Sequence, residues 1–277
     1  MKILVTGAKG QLGIDVVNAL SIKNIIIGHD VDTLDITNLE STLKLARDVK
    51  PDLIINCAAY TNVDMCEENI DIAYKVNAIG ARNLAIASVE TNSRLLHIST
   101  DFVFDGSAKE PYIEFDRPNP LSVYGKSKLA GEEFIRQISS KHYILRTAWL
   151  YGKNGNNFVK TMVKLCKEKK VLNVVDDQFG SPTLTEDLIK AMEHIIGTEA
   201  YGTFHTTSSG ECSWNEFAKK IFEHANIEGI EVRPISTKEL NRPAARPAYS
   251  VLRNYMLELQ FDYYMRDWEE GLKYYFK

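Results

Sequence analysis

The 277-residue chain has no excess of basic residues, and its formal net charge is -4. Nucleic-acid binding rests mainly on cations that neutralise phosphates, so this balance argues against a nucleic-acid partner. Cysteine is scarce. The four present, Cys57, Cys66, Cys166 and Cys212, have no regular spacing and form no C-x-x-C pair. That pattern gives no sign of a disulfide framework and is most simply read as reduced thiols in a cytosolic protein. No apolar run approaches the roughly 20 residues of a membrane span. The chain enters a strand at Lys2 rather than the apolar core of a signal peptide. Repeats and low-complexity segments are also lacking. The expectation is a soluble, cytoplasmic protein with no membrane partner. What is present is an ordinary globular composition, 44% hydrophobic and 25% charged, at a length that allows one large domain or two moderate ones.

The run from Lys2 to Thr6 is short, apolar and β-branched, as a buried parallel strand requires. Gly7, Gly10 and Gly13 follow at once, with Gln11 and Leu12 between them, and a helical pattern continues through Leu20. Glycines at a strand-to-helix turn let the backbone approach a pyrophosphate, and the helix N-terminus offers it N–H groups. The spacing is G-x-x-G-x-x-G rather than G-x-G-x-x-G, and its place after the first strand gives it weight. A second strand from Asn24 ends at Asp30, a carboxylate placed for adenosine ribose hydroxyls. No arginine follows to claim a 2′-phosphate, although Lys9 stands in the glycine loop. Asp35 and Ile36 precede a helix for which Thr37 and Glu40 form the expected capping box.

Further strands are expected at Leu53–Asn56, Arg94–Ser99 and His142–Thr147. Helices are expected over 70–91 and 123–138. Such alternation implies an α/β fold with a doubly wound, Rossmann-type parallel sheet over residues 1–150. Beyond Thr147 the pattern is less regular. The expectation for 151–277 is a smaller α/β domain, with a return of the chain to the sheet around 171–200. Trp149 and Tyr151 follow the fifth strand. Arg242 and Arg246 lie in a proline-stiffened segment that reads either as a surface linker or as a clamp for an anion.

Tyr124 and Lys128 stand four residues apart on the helix over 123–138, hence on one face and one turn apart. A nearby cation favours a phenolate, so the lysine is expected to pull the tyrosine's pKa down towards neutral pH for general acid catalysis. Thr100, at the carboxyl end of the fourth strand, stands where open α/β sheets place ligands. Its hydroxyl is placed to hydrogen-bond a substrate carbonyl.

The glycine loop, Thr100, Tyr124 and Lys128, taken in chain order, resemble an extended short-chain dehydrogenase/reductase. The stretches 99–106, 120–132, 146–149, 155–158, 177–182 and 242–247 are similar to the dTDP-4-dehydrorhamnose reductase family. These stretches reach over nearly the whole chain. The resemblance implies reduction of a nucleotide-linked 4-ketosugar with NADPH or NADH, in the last step of dTDP-rhamnose biosynthesis. It places Gly10, Gln11 and Leu12 at the pyrophosphate, Asp30, Asp35 and Ile36 around the adenosine, and Ala59, Tyr60 and Thr61 along the cofactor. Tyr124 and Lys128 would serve chemistry and the nicotinamide ribose, while Thr100, Asp101 and Trp149 would meet the sugar nucleotide. Residues 151–277 would mainly bind this substrate. Some members form homodimers through magnesium. Here Asp15 replaces the usual glutamate, Glu186 matches, and the expected third ligand is missing, so no metal ligand is assigned. Two other readings share these words: a non-catalytic NADP-binding regulatory subunit, and a related nucleotide-sugar epimerase or dehydratase.

Overall fold

The first strand, β1 (Lys2–Thr6), shows how the sheet comes to be buried on both faces. In the computed structural model, which describes residues 1–277, Ile3 and Val5 pack with Val16 and Leu20 of α1 (Gln11–Leu20). Leu4 enters a separate core on the opposite face. The chain continues through β2 (Ile25–His29), α2 (Leu39–Val49), β3 (Leu53–Asn56) and α3 (Val63–Glu68). After α4 (Ile70–Tyr74) come α5 (Ala81–Glu90), β4 (Arg94–Thr100), α6 (Val123–Ile138) and β5 (His142–Thr147). The alternation of β1 recurs along these strands: Ile55, Leu96 and Leu145 face one core, and Ile54, Leu95 and Ile144 face the other. Each such fully buried aliphatic side chain contributes about 1.5–3 kcal/mol.

All pairings in the central sheet are parallel, and its order is Gly202–His205, β5, β4, β3, β1, β2. The strand order reverses between β1 and β3. In open α/β sheets ligands bind beside the carboxyl ends of the strands at such a switch point.

The chain returns to this sheet through Thr185–His205. The helix Thr185–Ile196 covers the face shared with α1, and Gly202–His205 adds the sixth strand beside β5. The strand Val171–Val175 takes no part in that return. It pairs with Glu231–Ile235 in a small separate sheet. Its Val171 and Asn173 are exposed while Leu172 and Val174 are buried, a one-sided pattern unsuited to a sheet covered on both faces. A third core gathers Tyr151, Met162, Leu172, Phe217, Trp268 and Leu272.

Two local expectations need correction. Asn38, not Thr37, caps α2, because its side chain accepts from Ser41 N–H. The Thr37 N–H is engaged by Asp35. The helix expected over 70–91 is interrupted by a π-helical stretch at Lys75–Gly80. Such insertions frequently mark functional sites, and here the stretch faces inward Asn77. The Asn77 amide bonds both the N–H and the C=O of Tyr60, and it donates to Ser127 of α6.

Candidate active site

The chain leaves β1 at Gly7 with φ 69°, a conformation that side chains with a Cβ rarely adopt. An added Cβ on Gly13 would sit 2.0 Å from the Gly7 carbonyl oxygen, so α1 starts directly against the turn. The N-cap is Gly10, which has no side chain to satisfy the first-turn N–H groups. Those groups, around Gln11 and Leu12, stand at the positive end of the helix dipole, ready for an anion. A cavity of about 420 Å³ opens beside them at the switch point. Gly7, Gly10, Asp30, Asp35, Ile36, Ala59 and Tyr60 line it. Leu12 is buried in the core, so only its backbone is on offer. The Gln11 side chain turns away to donate to Leu150 O (3.0 Å). Thr61 is exposed and does not line the cavity.

The Asp30 carboxylate accepts from Lys9 N–H and Val31 N–H, both at 2.8 Å, which leaves acceptor capacity for ribose hydroxyls. Lys9 Nζ is paired with Asp32, but both side chains are more than half exposed, so this pair holds the lysine only weakly. Glycine turn, uncapped helix start and ribose-side carboxylate together fit a dinucleotide.

Helix α6 is held at its N-terminus from two sides. Ser122 Oγ accepts from Gly125 N–H (3.2 Å), and Glu67 of α3 accepts from Val123 N–H (2.8 Å). Gly125 permits close docking on the exit of β4, because a Cβ there would stand 2.1 Å from Phe102 O. This docking sets Tyr124 edge-on to Phe102, with ring centroids 5.6 Å apart. Lys128 is 2% exposed. Its Nζ donates to Ile98 O at 2.6 Å and lies 3.2 Å from His97 Nε2.

The expected downward pull on the tyrosine is not what the site does. Burial pushes the Tyr124 phenol above its ordinary value, and the Thr100 hydroxyl opposes this only in part. Lys128 is itself brought down to about 8, by burial first, with Glu132 and Cys57 opposing. A lysine whose charge is weakened by its own desolvation cannot stabilise a phenolate strongly.

Thr100 also differs from expectation. Its Oγ donates to Asp101 Oδ1 (3.0 Å) and accepts from Phe102 N–H (3.2 Å), so its proton is directed to Asp101. Asp101 is 2% exposed and faces Thr100 and Ser250 rather than an open cavity. Burial raises its carboxyl to about 6, with the Ser250 and Thr100 hydroxyls opposing.

A second cavity, of about 400 Å³, is lined by Phe102, Trp149, Trp214, Arg242, Arg246 and Ser250 among others. Trp149 has φ 46° and stacks on Trp214 with centroids 3.6 Å apart. A bulky residue at positive φ is strained, and such outliers cluster at ligand sites. Lys128 sits by Cys57, which lines the first cavity, while Tyr124 sits against Phe102, which lines the second. Arg242 and Arg246 both reach Asp64 of α3.

Sequence reasoning missed Asn56, Asn77, His97 and Ser250. The asparagine in the middle of a helical pattern at 77 is the one local signal among them, since asparagine disfavours helix interiors. No group of three or more His, Cys, Asp or Glu residues is arranged to hold a metal. Asp15 accepts from Asn154 Nδ2 (2.6 Å), and Glu186 lies 4.0 Å from Lys153 Nζ. No helix is long and apolar enough to cross a membrane.

The model of the RmlD substrate binding domain family matches residues 1–277. This chain belongs to that family. A crystal structure of a dTDP-4-dehydrorhamnose reductase from Clostridium acetobutylicum is 53% identical, with a TM-score of 0.97 and coverage of 99% of this chain and 98% of that one. The Bacillus anthracis enzyme of the same name, solved in complex with NADP, is 47% identical at the same TM-score and coverage. The curated dTDP-4-dehydrorhamnose reductase of Aggregatibacter actinomycetemcomitans is 41% identical over 98% of this chain and 97% of its own. The two solved relatives thus share this fold over nearly the whole chain.

Proposed function

We propose that this protein is an NAD(P)H-dependent dTDP-4-dehydrorhamnose reductase, converting dTDP-4-dehydro-β-L-rhamnose to dTDP-β-L-rhamnose. The observation that carries the proposal is the position of Tyr124 and Lys128 on the same helix face, between a dinucleotide cradle and an arginine-bearing second cavity. The full-length likeness to reductases of this name, one of them solved with NADP, supports it.

When bound, the reduced nicotinamide supplies the hydride. Residues around Gly10 hold the pyrophosphate by backbone N–H groups, Asp30 takes the ribose hydroxyls, and Lys128 holds the second ribose. Tyr124 keeps its proton at neutral pH and is therefore in the right state to give it to the developing alkoxide. Thr100 lies beside it and donates to the same oxygen once its hydroxyl rotates away from Asp101. Arg242 and Arg246 offer forks suited to diphosphate oxygens. Anchoring the nucleotide there orients the ketone against Tyr124. A homodimer and a cytoplasmic location belong to the same proposal, and light scattering of the purified chain tests the former.

The direct test is incubation with NADPH and enzymatically generated dTDP-4-dehydrorhamnose, with the product identified by NMR. Consumption of NADPH with formation of the rhamnose configuration is expected. No oxidation would favour a non-catalytic binding subunit, and a product of another configuration would overturn the substrate.

A further inference from the structure

Behind Lys128 lies a buried chain of polar groups whose donors and acceptors can be assigned one by one. Asn56, the last residue of β3, accepts at Oδ1 from Thr6 Oγ (2.8 Å) and from Ala58 N–H (3.0 Å). A backbone N–H can only donate, so the orientation of the amide is determined. Its Nδ2 therefore faces His97 Nδ1 at 2.9 Å. An amide NH₂ can only donate too, so Nδ1 accepts and the single proton of the neutral imidazole sits on Nε2. That Nε2–H points at Lys128 Nζ, 3.2 Å away. His97 is 1% exposed, and burial together with Lys128 and Arg136 holds its pKa well below the usual value, with Glu132 opposing. It stays neutral.

An Nε2–H needs a lone pair to bond, and an ammonium has none. A neutral amine has one, and it can still donate to Ile98 O. The other charged or titratable groups around Lys128 act the opposite way or are already engaged. Glu132 and Cys57 favour the ammonium, but Glu132 is bonded by Arg146, Arg136 and Ser99. We infer that His97, oriented by Asn56, is a positioning residue that favours the proton-released state of Lys128. The inference rests on the reductase reading only for its consequence. After Tyr124 has given its proton to the product oxygen, Lys128 can release one to the phenolate: its N–H bond breaks, the tyrosine O–H re-forms, and the amine left behind accepts from His97. Solvent then returns a proton to the amine.

NMR of the free protein tests this without substrate or cofactor, so its failure is separable from failure of the reductase assay. Imidazole ¹⁵N shifts are expected to report the Nε2–H tautomer for His97, unchanged from pH 5 to pH 9. Lysine ¹³Cε titration, assigned by the loss of one signal in Lys128→Met, should place Lys128 well below the other lysines. In His97→Gln, whose side-chain oxygen can accept from an ammonium, the Lys128 midpoint should rise by about one unit or more. Asn56→Asp should flip His97 to the Nδ1–H tautomer and also raise Lys128. An Nδ1–H tautomer in the native protein, titration of His97 in that range, or a Lys128 midpoint unmoved in a folded His97→Gln protein would overturn the inference.

Discussion

Arg246 Nη2 donates to both carboxylate oxygens of Asp64, at 3.1 and 3.0 Å, and so joins the C-terminal segment to α3 of the N-terminal half. Burial pushes the Asp64 carboxyl up, but Arg246, Ala244 N–H and Arg242 more than offset it, and the carboxyl stays below its usual range. The same arginines line the second cavity, where the proposed substrate brings a diphosphate. Arg246→Ala is expected to raise KM for the sugar nucleotide about tenfold, with a smaller change in kcat. Steady-state kinetics decide; an unchanged KM would remove Arg246 from the binding site.

Tyr124→Phe retains the ring that packs on Phe102 and removes the proton. Turnover should fall by roughly 10²–10⁴-fold, with NADPH affinity almost unaltered. Single-turnover oxidation of NADPH, read beside a cofactor titration, separates the two effects. Near-native turnover would rule out the acid role.

In the proposed cofactor site the adenosine end would carry Asp30 and Lys9, an exposed and weakly paired cation. Neither a strong 2′-phosphate clamp nor strong exclusion of the phosphate is built in. NADH and NADPH should support kcat/KM values within about an order of magnitude of each other. A hundredfold preference for either cofactor would contradict this account of the loop.

Lys128, brought down to about 8, is protonated below that pH and neutral above it. In the proposed mechanism the ammonium would hold the ribose, so kcat/KM should be level below pH 8 and decline as pH rises through it. In Lys128→Met that limb should vanish along with most of the activity. A pH–rate profile for each protein checks the sign. A rise in kcat/KM through pH 8 would mean that the neutral amine is the working form.

Glu132, one turn beyond Lys128, is fully buried against Arg146. Burial pushes its carboxyl up, but Arg146 above all brings it down to about 2. Arg146→Met leaves that carboxylate only the part-exposed Arg136 and the Ser99 hydroxyl, and should cost about 3 kcal/mol in chemical denaturation. Adding Glu132→Leu should restore much of the loss. If the single variant unfolds like the native protein, this pair does not anchor α6.

What the sequence by itself determined is what depends on neighbours along the chain. Tyr124 and Lys128 share a face because an α-helix returns every 3.6 residues. Ile3, Leu4 and Val5 alternate between two cores because a strand has period two, and Gly7 to Gly13 makes a tight strand-to-helix turn because bare backbone must lie close. The other half of the site was decided by the tertiary structure. Asn56 meets His97 across 41 positions, and Asp64 meets Arg246 across 182. Neither distance leaves a local pattern. The state of Tyr124 belongs to this second kind. Spacing put a cation beside it, but the protonation of both groups depends on how much water the fold removes and on what else bonds the lysine. Desolvation is a property of the packed interior, and no stretch of sequence carries it alone.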